Sequence, residues 1–227
     1  MTNPVDIIEA LGLRPFADTA SFEPLVVFAT VVAATSDVAL LKVRSVDGPD
    51  YDAIMPVTEW ASSRHWEVGA SYQLLQLGAG PRPVLSAVRP ELVEALLMGV
   101  SPEVRAGTVR VMGVARAAGV RTKVAVAATE AGVDPIASCV GRQANRVRYL
   151  TTALGGERID VVSWDADDET FLRNALAPAS VGTIVIDGHN ATASAPAHQM
   201  SAAVGAAGLN SALAGQLVGL QVTIVQG

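Results

Sequence analysis

The hydrophobic positions of this chain alternate over short runs in its first third and take up helical spacing only later. LVVFATVV (25–32), DVALLKVR (37–44), YDAIMPV (51–57), SYQLLQL (71–77) and RPVLSAV (82–88) are apolar runs of strand length. Two of the turns between them are VDGPD (46–50) and GAGPRP (78–83). Five short strands in close succession over residues 25–89 predict a small closed barrel of the OB type. A short helix over 5–11 and a Pro/Phe-containing lead-in through Pro24 precede it, so residues 1–24 are set apart. PELVEALLMGV (90–100) has proline in its first turn and apolar Leu92, Leu96 and Leu97 at helical spacing, which predicts a connecting helix.

A second pattern starts near residue 101. TVRVMGVAR (108–116) and RTKVAVAA (121–128) predict a hairpin, with Arg121 and Lys123 on one face of its second strand and Thr122, Val124 and Val126 on the other. Asp134-Pro135 supplies an N-cap and first turn for a helix running to Gly141. A helix over 145–154 ends at Gly155-Gly156, ERIDVVSW (157–164) reads as a strand, and DDETFLRNAL (167–176) as a helix stopped by Pro178. The tail repeats the layout: TIVID (183–187) and ATASA (191–195) around Gly188, helices over 199–205 and 209–219, and the strand LQVTIV (220–225). At an offset of 64 residues Val140-Gly141 falls on Val204-Gly205, Ala144 on Gly208 and Gly155 on Gly219. Such self-similarity predicts two copies of one unit, over 101–180 and 181–227.

Charge changes what those copies are expected to do. Net charge is −6, which does not advertise a nucleic-acid binder. The total hides a gradient: residues 1–100 carry 6 basic and 12 acidic side chains, 101–180 carry 10 and 9, and 181–227 carry none and 1. A phosphate-binding surface is therefore most easily built in the middle of the chain. The single cysteine, Cys139, excludes an intramolecular disulfide and a multi-cysteine zinc site, and reads as a small core residue. His65, His189 and His198 show no metal spacing, so no metal and no cofactor are expected. Asp165, Asp167, Asp168 and Glu169 read as the acidic start of a helix. No nucleophile elbow, Walker loop or catalytic carboxylate pair stands out, which argues against an enzyme. The opening MTNPVDIIEALG has no basic region and is not a signal peptide, which fits a cytoplasmic setting. Residues 202–225 are uncharged with a Gly215/Gly219 pair, yet Asn210, Ser211, Gln216 and Gln221 interrupt them, so a soluble helix is expected rather than a membrane span.

In both copies a Gly-containing loop joins two short helices: CVGRQANRVRYL (139–150) and VGAAGLN (204–210). Strand–strand–helix–loop–helix–strand with such a loop is the bacterial (type II) KH arrangement, whose loop clamps the backbone of single-stranded nucleic acid. Beyond the layout, SPEVRAGTVRV (101–111), RTKVAV (121–126), VDPIASCVG (133–141), GERIDVVSW (156–164) and FLRNALAPA (171–179) resemble the NusA transcription elongation and antitermination factors, over about residues 25–227. YDAIMPVTEW (51–60) is similar to the motif of that family's S1 domain. The resemblance implies an α+β multidomain chain: an OB-type (S1-like) β-barrel followed by two tandem type II KH domains that form one RNA-binding unit.

The departures from that family are specific. Its helical, polymerase-binding first domain has no counterpart in the short lead-in. Ala144 stands where the first loop should have its second glycine, and GAAGLN (205–210) lacks the usual lysine and the basic residue that follows. The barrel lacks the stacking aromatic pair; Phe28 and Tyr51 are explained at least as well by core packing.

The resemblance implies a monomeric RNA-binding protein of transcription elongation, termination or antitermination. RNA would be held weakly, mainly by the first loop, through Gly141, Arg142, Gln143, Ala144, Arg146 and Arg148 with Arg121 and Lys123, while Gly205 and Gly208 supply only backbone. RNA polymerase or other transcription factors would be the protein partners. Two alternatives stand beside this. The arginines form an ordinary solvated face paired with Glu157 and Asp160, or the whole body is a protein-interaction scaffold with decayed RNA sites that modulates polymerase or full-length NusA complexes.

Overall fold

A computed structural model describes residues 25–61 and 66–227; the helix expected over 5–11 and His65 lie outside them. The chain forms two compact units, one built on the barrel and the other containing both repeated copies.

The barrel strands are β1 (Leu25–Ala34), β2 (Val38–Val43), β3 (Tyr51–Pro56), β4 (Ser71–Leu77) and β5 (Val84–Ser86), closed in the order β1-β2-β3-β5-β4. Alternation decides which side chains go inside: Val27, Ala29 and Val31 of β1 and Ala39, Leu41 and Val43 of β2 are all buried in one core. Closing the sheet leaves no free edge to pair with another chain. Tyr51 packs against this core, as expected, and its hydroxyl donates to Gln76 Oε1 at 2.6 Å. Phe28 does not. It projects outward with 57% of its surface exposed, because Val27 and Ala29 on either side take the inward register.

Helix α1 (Pro90–Val100) buries Leu92, Val93, Leu96 and Leu97, the face its spacing predicts. A further short helix, α2 (Pro102–Arg105), is too short to show helical periodicity; Ser101 caps it by accepting from Val104 N–H.

Each copy then has the same topology. In the first, β6 (Val109–Ala117) and β7 (Arg121–Ala128) form a hairpin, α3 (Pro135–Val140) and α4 (Asn145–Ala153) follow, and β8 (Arg158–Ser163) returns parallel to β7. Then α5 (Asp168–Ala175) leads into the second copy, where β9 (Ile184–Asp187) and β10 (Asn190–Ala195) are followed by α6 (Met200–Val204), α7 (Leu209–Val218) and β11 (Gln221–Gln226), parallel to β10. The expected Asp134 cap is present, accepting from Ala137 N–H; Asp167, expected only as part of the acidic start of its helix, caps α5 by accepting from Thr170 N–H.

The two copies share their packing. Leu172, Ala175 and Leu176 lie in one core with Ile184, Ala191, Ala193 and Ala214. Leu217 and Val218 of α7 reach past their own sheet to pack on Ala125, Val162 and Phe171 of the first copy. Full burial of such a side chain stabilises by about 1.5–3 kcal/mol; these two are partly buried and contribute a fraction of that, tying both sheets into one body. The uncharged 202–225 segment breaks into α6, α7 and β11, and among the described residues no helix is long and apolar enough to cross a membrane. Its Gly215/Gly219 pair has a local reason. A Cβ at Gly215 would meet Leu220 O at 2.5 Å, and Gly219 takes the left-handed φ of 82° that ends α7.

Candidate nucleic-acid interface

The helix–loop–helix turns of the two copies have the same backbone. Gly141 has φ 75°, ψ 169° and Gly205 has φ 77°, ψ 168°. Two residues on, Gln143 (φ 52°, ψ 32°) matches Ala207 (φ 51°, ψ 27°), both left-handed. Ala144 (φ 58°) then occupies the left-handed position that Gly208 (φ 77°) fills in the second loop. The chain therefore holds a left-handed non-glycine residue twice in succession in the first loop, at a cost of about 1–2 kcal/mol each.

The first glycine of each loop is there for the protein rather than for a ligand. A Cβ on Gly141 would come within 2.7 Å of Arg146 Cγ, and one on Gly205 within 2.6 Å of the Asn210 backbone nitrogen. In each case the second helix passes directly over the glycine. Arg146 and Asn210, again 64 residues apart, both turn back across it. Arg146 Nη1 donates to Ser138 O and, at 2.8 Å, to Glu103 Oε2; Asn210 Nδ2 donates to Leu176 O at 3.0 Å and Ala203 O at 3.1 Å. Glu103 is held below the usual carboxylate range by a hydrogen bond from its own backbone, then by Ser101 and Arg146. Arg146, expected on RNA, is thus a staple of the loop.

What faces solvent around the first loop is smaller than the sequence suggested but chemically clear. Arg142, Gln143 and Arg148 are exposed, and neither arginine enters an ion pair among the described residues. Arg142 also borders a cleft of about 450 Å³ with Glu103, Asp134, Ser138, Gly141 and Arg146. Beneath the loop Cys139 is wholly buried, and burial pushes its thiol up to about 11, so it is a core residue.

Lys123 and Arg121 are elsewhere. The alternation expected for β7 fails because helices cover both of its faces, leaving Thr122, Lys123, Val124 and Val126 all buried. Lys123 is fully buried, donating to Ala177 O at 2.9 Å with Asp160 Oδ2 at 3.4 Å; burial pushes its ammonium down to about 8, against the pull of Asp160. Arg121 Nε donates to Asp160 Oδ2 at 2.6 Å, and Arg158 Nε to Asp160 Oδ1 at 3.1 Å. Pairing with Asp160 therefore involves Arg121, Lys123 and Arg158, not the loop arginines. Glu157, the other expected partner, is buried against Arg116, Thr122 and the Gly119 N–H. Arg158 has no motif around it in sequence; the β7–β8 register, which sets it directly opposite Arg121, is what brings it into this cluster.

The duplicated loop and the sheet order around it agree with the comparisons to known proteins. Residues 88–164 match the model of the NusA-like first KH domain and residues 168–227 that of the NusA-like second KH domain. The chain belongs to the NusA-like proteins. It is 37% identical over 147 residues to the transcription termination/antitermination protein NusA of Bacillus subtilis, covering 64% of this chain and 40% of that protein. To the NusA of Halalkalibacterium halodurans it is 34% identical over 186 residues, covering 79% and 49%. To that of Mycobacterium bovis it is 33% identical over 181 residues, covering 76% and 52%. The chain thus spans about half, or less, of the length of these relatives. Its architecture is that of a NusA-like body: a closed five-stranded barrel followed by two KH domains.

Proposed function

We propose that this NusA-like chain binds single-stranded RNA and acts in transcription elongation, termination or antitermination. Support comes first from the relatives, named as transcription termination/antitermination proteins, and from the two KH matches. The single observation that carries the site is that Arg142 and Arg148 stand exposed and without ion pairs on a turn with KH-loop geometry. Backbone N–H groups and guanidinium forks are the chemistry that holds phosphate oxygens. Gly141, Gln143 and Ala144 shape that turn, and Gly205 and Gly208 shape its counterpart. The reading takes the barrel as 25–89, a linking helix over 90–100, and KH domains over 101–180 and 181–227. It describes a monomeric, non-enzymatic, cytoplasmic protein that holds RNA weakly and works beside RNA polymerase.

A salt titration of single-stranded RNA binding tests this. The log–log slope should be clearly negative and should flatten by about 0.7 for each of Arg142→Ala and Arg148→Ala. Arg146→Ala should instead lower stability, since its charge is spent on Glu103 and Ser138. Absence of binding at low salt, with polymerase still captured after nuclease treatment, would reject RNA in favour of the scaffold reading.

A further inference from the structure

The second KH domain has no Lys or Arg in residues 181–227, so by sequence its loop has nothing with which to attract a phosphate. The tertiary structure places charge beside it. A cleft of about 360 Å³ is lined on one side by Val120, Arg121 and Arg158 of the first copy and on the other by Gly205, Ala206 and Leu209 of the second. Arg121 and Arg158 are register partners on β7 and β8, so both guanidinium groups start from the same place in the sheet. The Arg158 side chain is 59% exposed, whereas that of Arg121 is 11% exposed.

Two features of this cleft point to an anion. Among the described residues Asp160 is the one carboxylate paired with Arg121, Arg158 and Lys123, so one carboxylate faces three cationic side chains and leaves the cluster with excess positive charge. Arg121 Nη2 is buried against Asp160 Oδ2 at 2.5 Å, so this guanidinium is held in place behind the cleft while Arg158 extends into solvent. On the facing wall, Gly205 N–H donates to Ser201 O, Gly208 N–H to Gly205 O and Leu209 N–H to Ala206 O. The N–H groups of Ala206 and Ala207 have no acceptor among the hydrogen bonds of the described residues, and successive free N–H groups in such a turn make an anion-binding concavity.

We propose that Arg158 and Arg121 of the first KH domain, with the backbone N–H groups of Ala206 and Ala207, form a composite site for an RNA phosphate, so that the second loop takes its charge from its neighbour. This rests on the reading of the chain as an RNA binder. Arg158 is the exposed arm that meets the phosphate, and Arg121 is the buried one that backs it. Burial is the main cause of the low pKa of Lys123; Arg121 and Arg158 add to it against the pull of Asp160.

The test is an amide NMR titration of the full chain with a single-stranded hexa-adenylate RNA, with inorganic phosphate and a hexaglutamate peptide as comparison probes. The amides of Ala206 and Ala207 should shift with RNA. Arg158→Ala should weaken that response by about tenfold, the size expected for a charge-assisted bond. Arg158→Lys should restore part of it, and melting temperature should stay unchanged because the side chain is exposed. Shifts confined to Arg142–Ala144 would overturn the composite site while leaving the first-loop reading standing. No shift at either loop would overturn both. Equal responses to inorganic phosphate or to the peptide, or an undiminished response in Arg158→Ala, would also overturn it.

Discussion

The two KH loops share a backbone and divide the chemistry between them. The first keeps exposed arginines, Arg142 and Arg148, and tolerates Ala144 at a left-handed position. The second keeps glycine at that position, Gly208, and carries no charge of its own. Backbone geometry therefore does not depend on the residues that would touch a ligand. It depends on the helix passing over the first glycine and on what the residue at position 146 or 210 grips. Arg146 does this with a charged staple, Asn210 with a neutral one. A loop held in this way can lose its charge without losing its shape, and the second copy is that case.

The largest expected effect separates the two glycines. Gly205→Ala should destabilise by about 3 kcal/mol, combining a left-handed Cβ with a collision against the Asn210 backbone at 2.6 Å. Gly141→Ala should cost about 2 kcal/mol, because its nearest obstacle, Asn145 Oδ1, ends a side chain that can swing away, while Arg146 Cγ at 2.7 Å must shift within its staple. Urea unfolding of both variants checks the order, and an equal or reversed cost would break the account of the staple.

Next comes a reciprocal exchange at the second glycine position. Ala144→Gly should stabilise, and Gly208→Ala destabilise, each by about 1 kcal/mol, since Gly208 has open space around its missing Cβ and only the φ is at issue. Two changes of the same sign, read from the same unfolding curves, would show that the loops differ in more than that residue.

The smallest effect concerns Lys123. Its ammonium titrates near 8 in the folded protein, below the usual lysine range, because of burial. At and above that pH the unfolded chain holds a proton that the folded chain has released, so this lysine's contribution to stability rises with pH through the window. Well below 8 both states are protonated and the contribution is flat and least favourable. Lys123→Met should change stability little at neutral pH, because Asp160 keeps Arg121 and Arg158. The difference between wild type and variant should grow above pH 8. A pH-independent difference would mean that the buried ammonium is not under strain.

Local order explains what could be read without coordinates. Strand alternation in Val27, Ala29 and Val31, the Asp134 and Asp167 caps, and the 64-residue spacing of Gly141 and Gly205 are all properties of neighbours in sequence. Where both faces of an element are covered, alternation does not say which side chains reach solvent, and the strand face shared by Arg121 and Lys123 is buried at Lys123 for that reason. Phe28 shows the converse, since hydrophobicity alone sent to the core a residue whose strand register turns it outward. Arg146 was legible as a loop cation but not as one already engaged, because Glu103 lies 43 residues away.

By itself the sequence determined the barrel, the duplicated KH topology and the family, because periodicity, caps and glycine positions act over a few residues and repeat. Only the tertiary structure decided which cations are available. Charge acts through space: burial against Asp160 and the Ala177 carbonyl removed Lys123 from solvent, and the parallel pairing of β7 with β8 set Arg158 beside a loop that has no charge of its own.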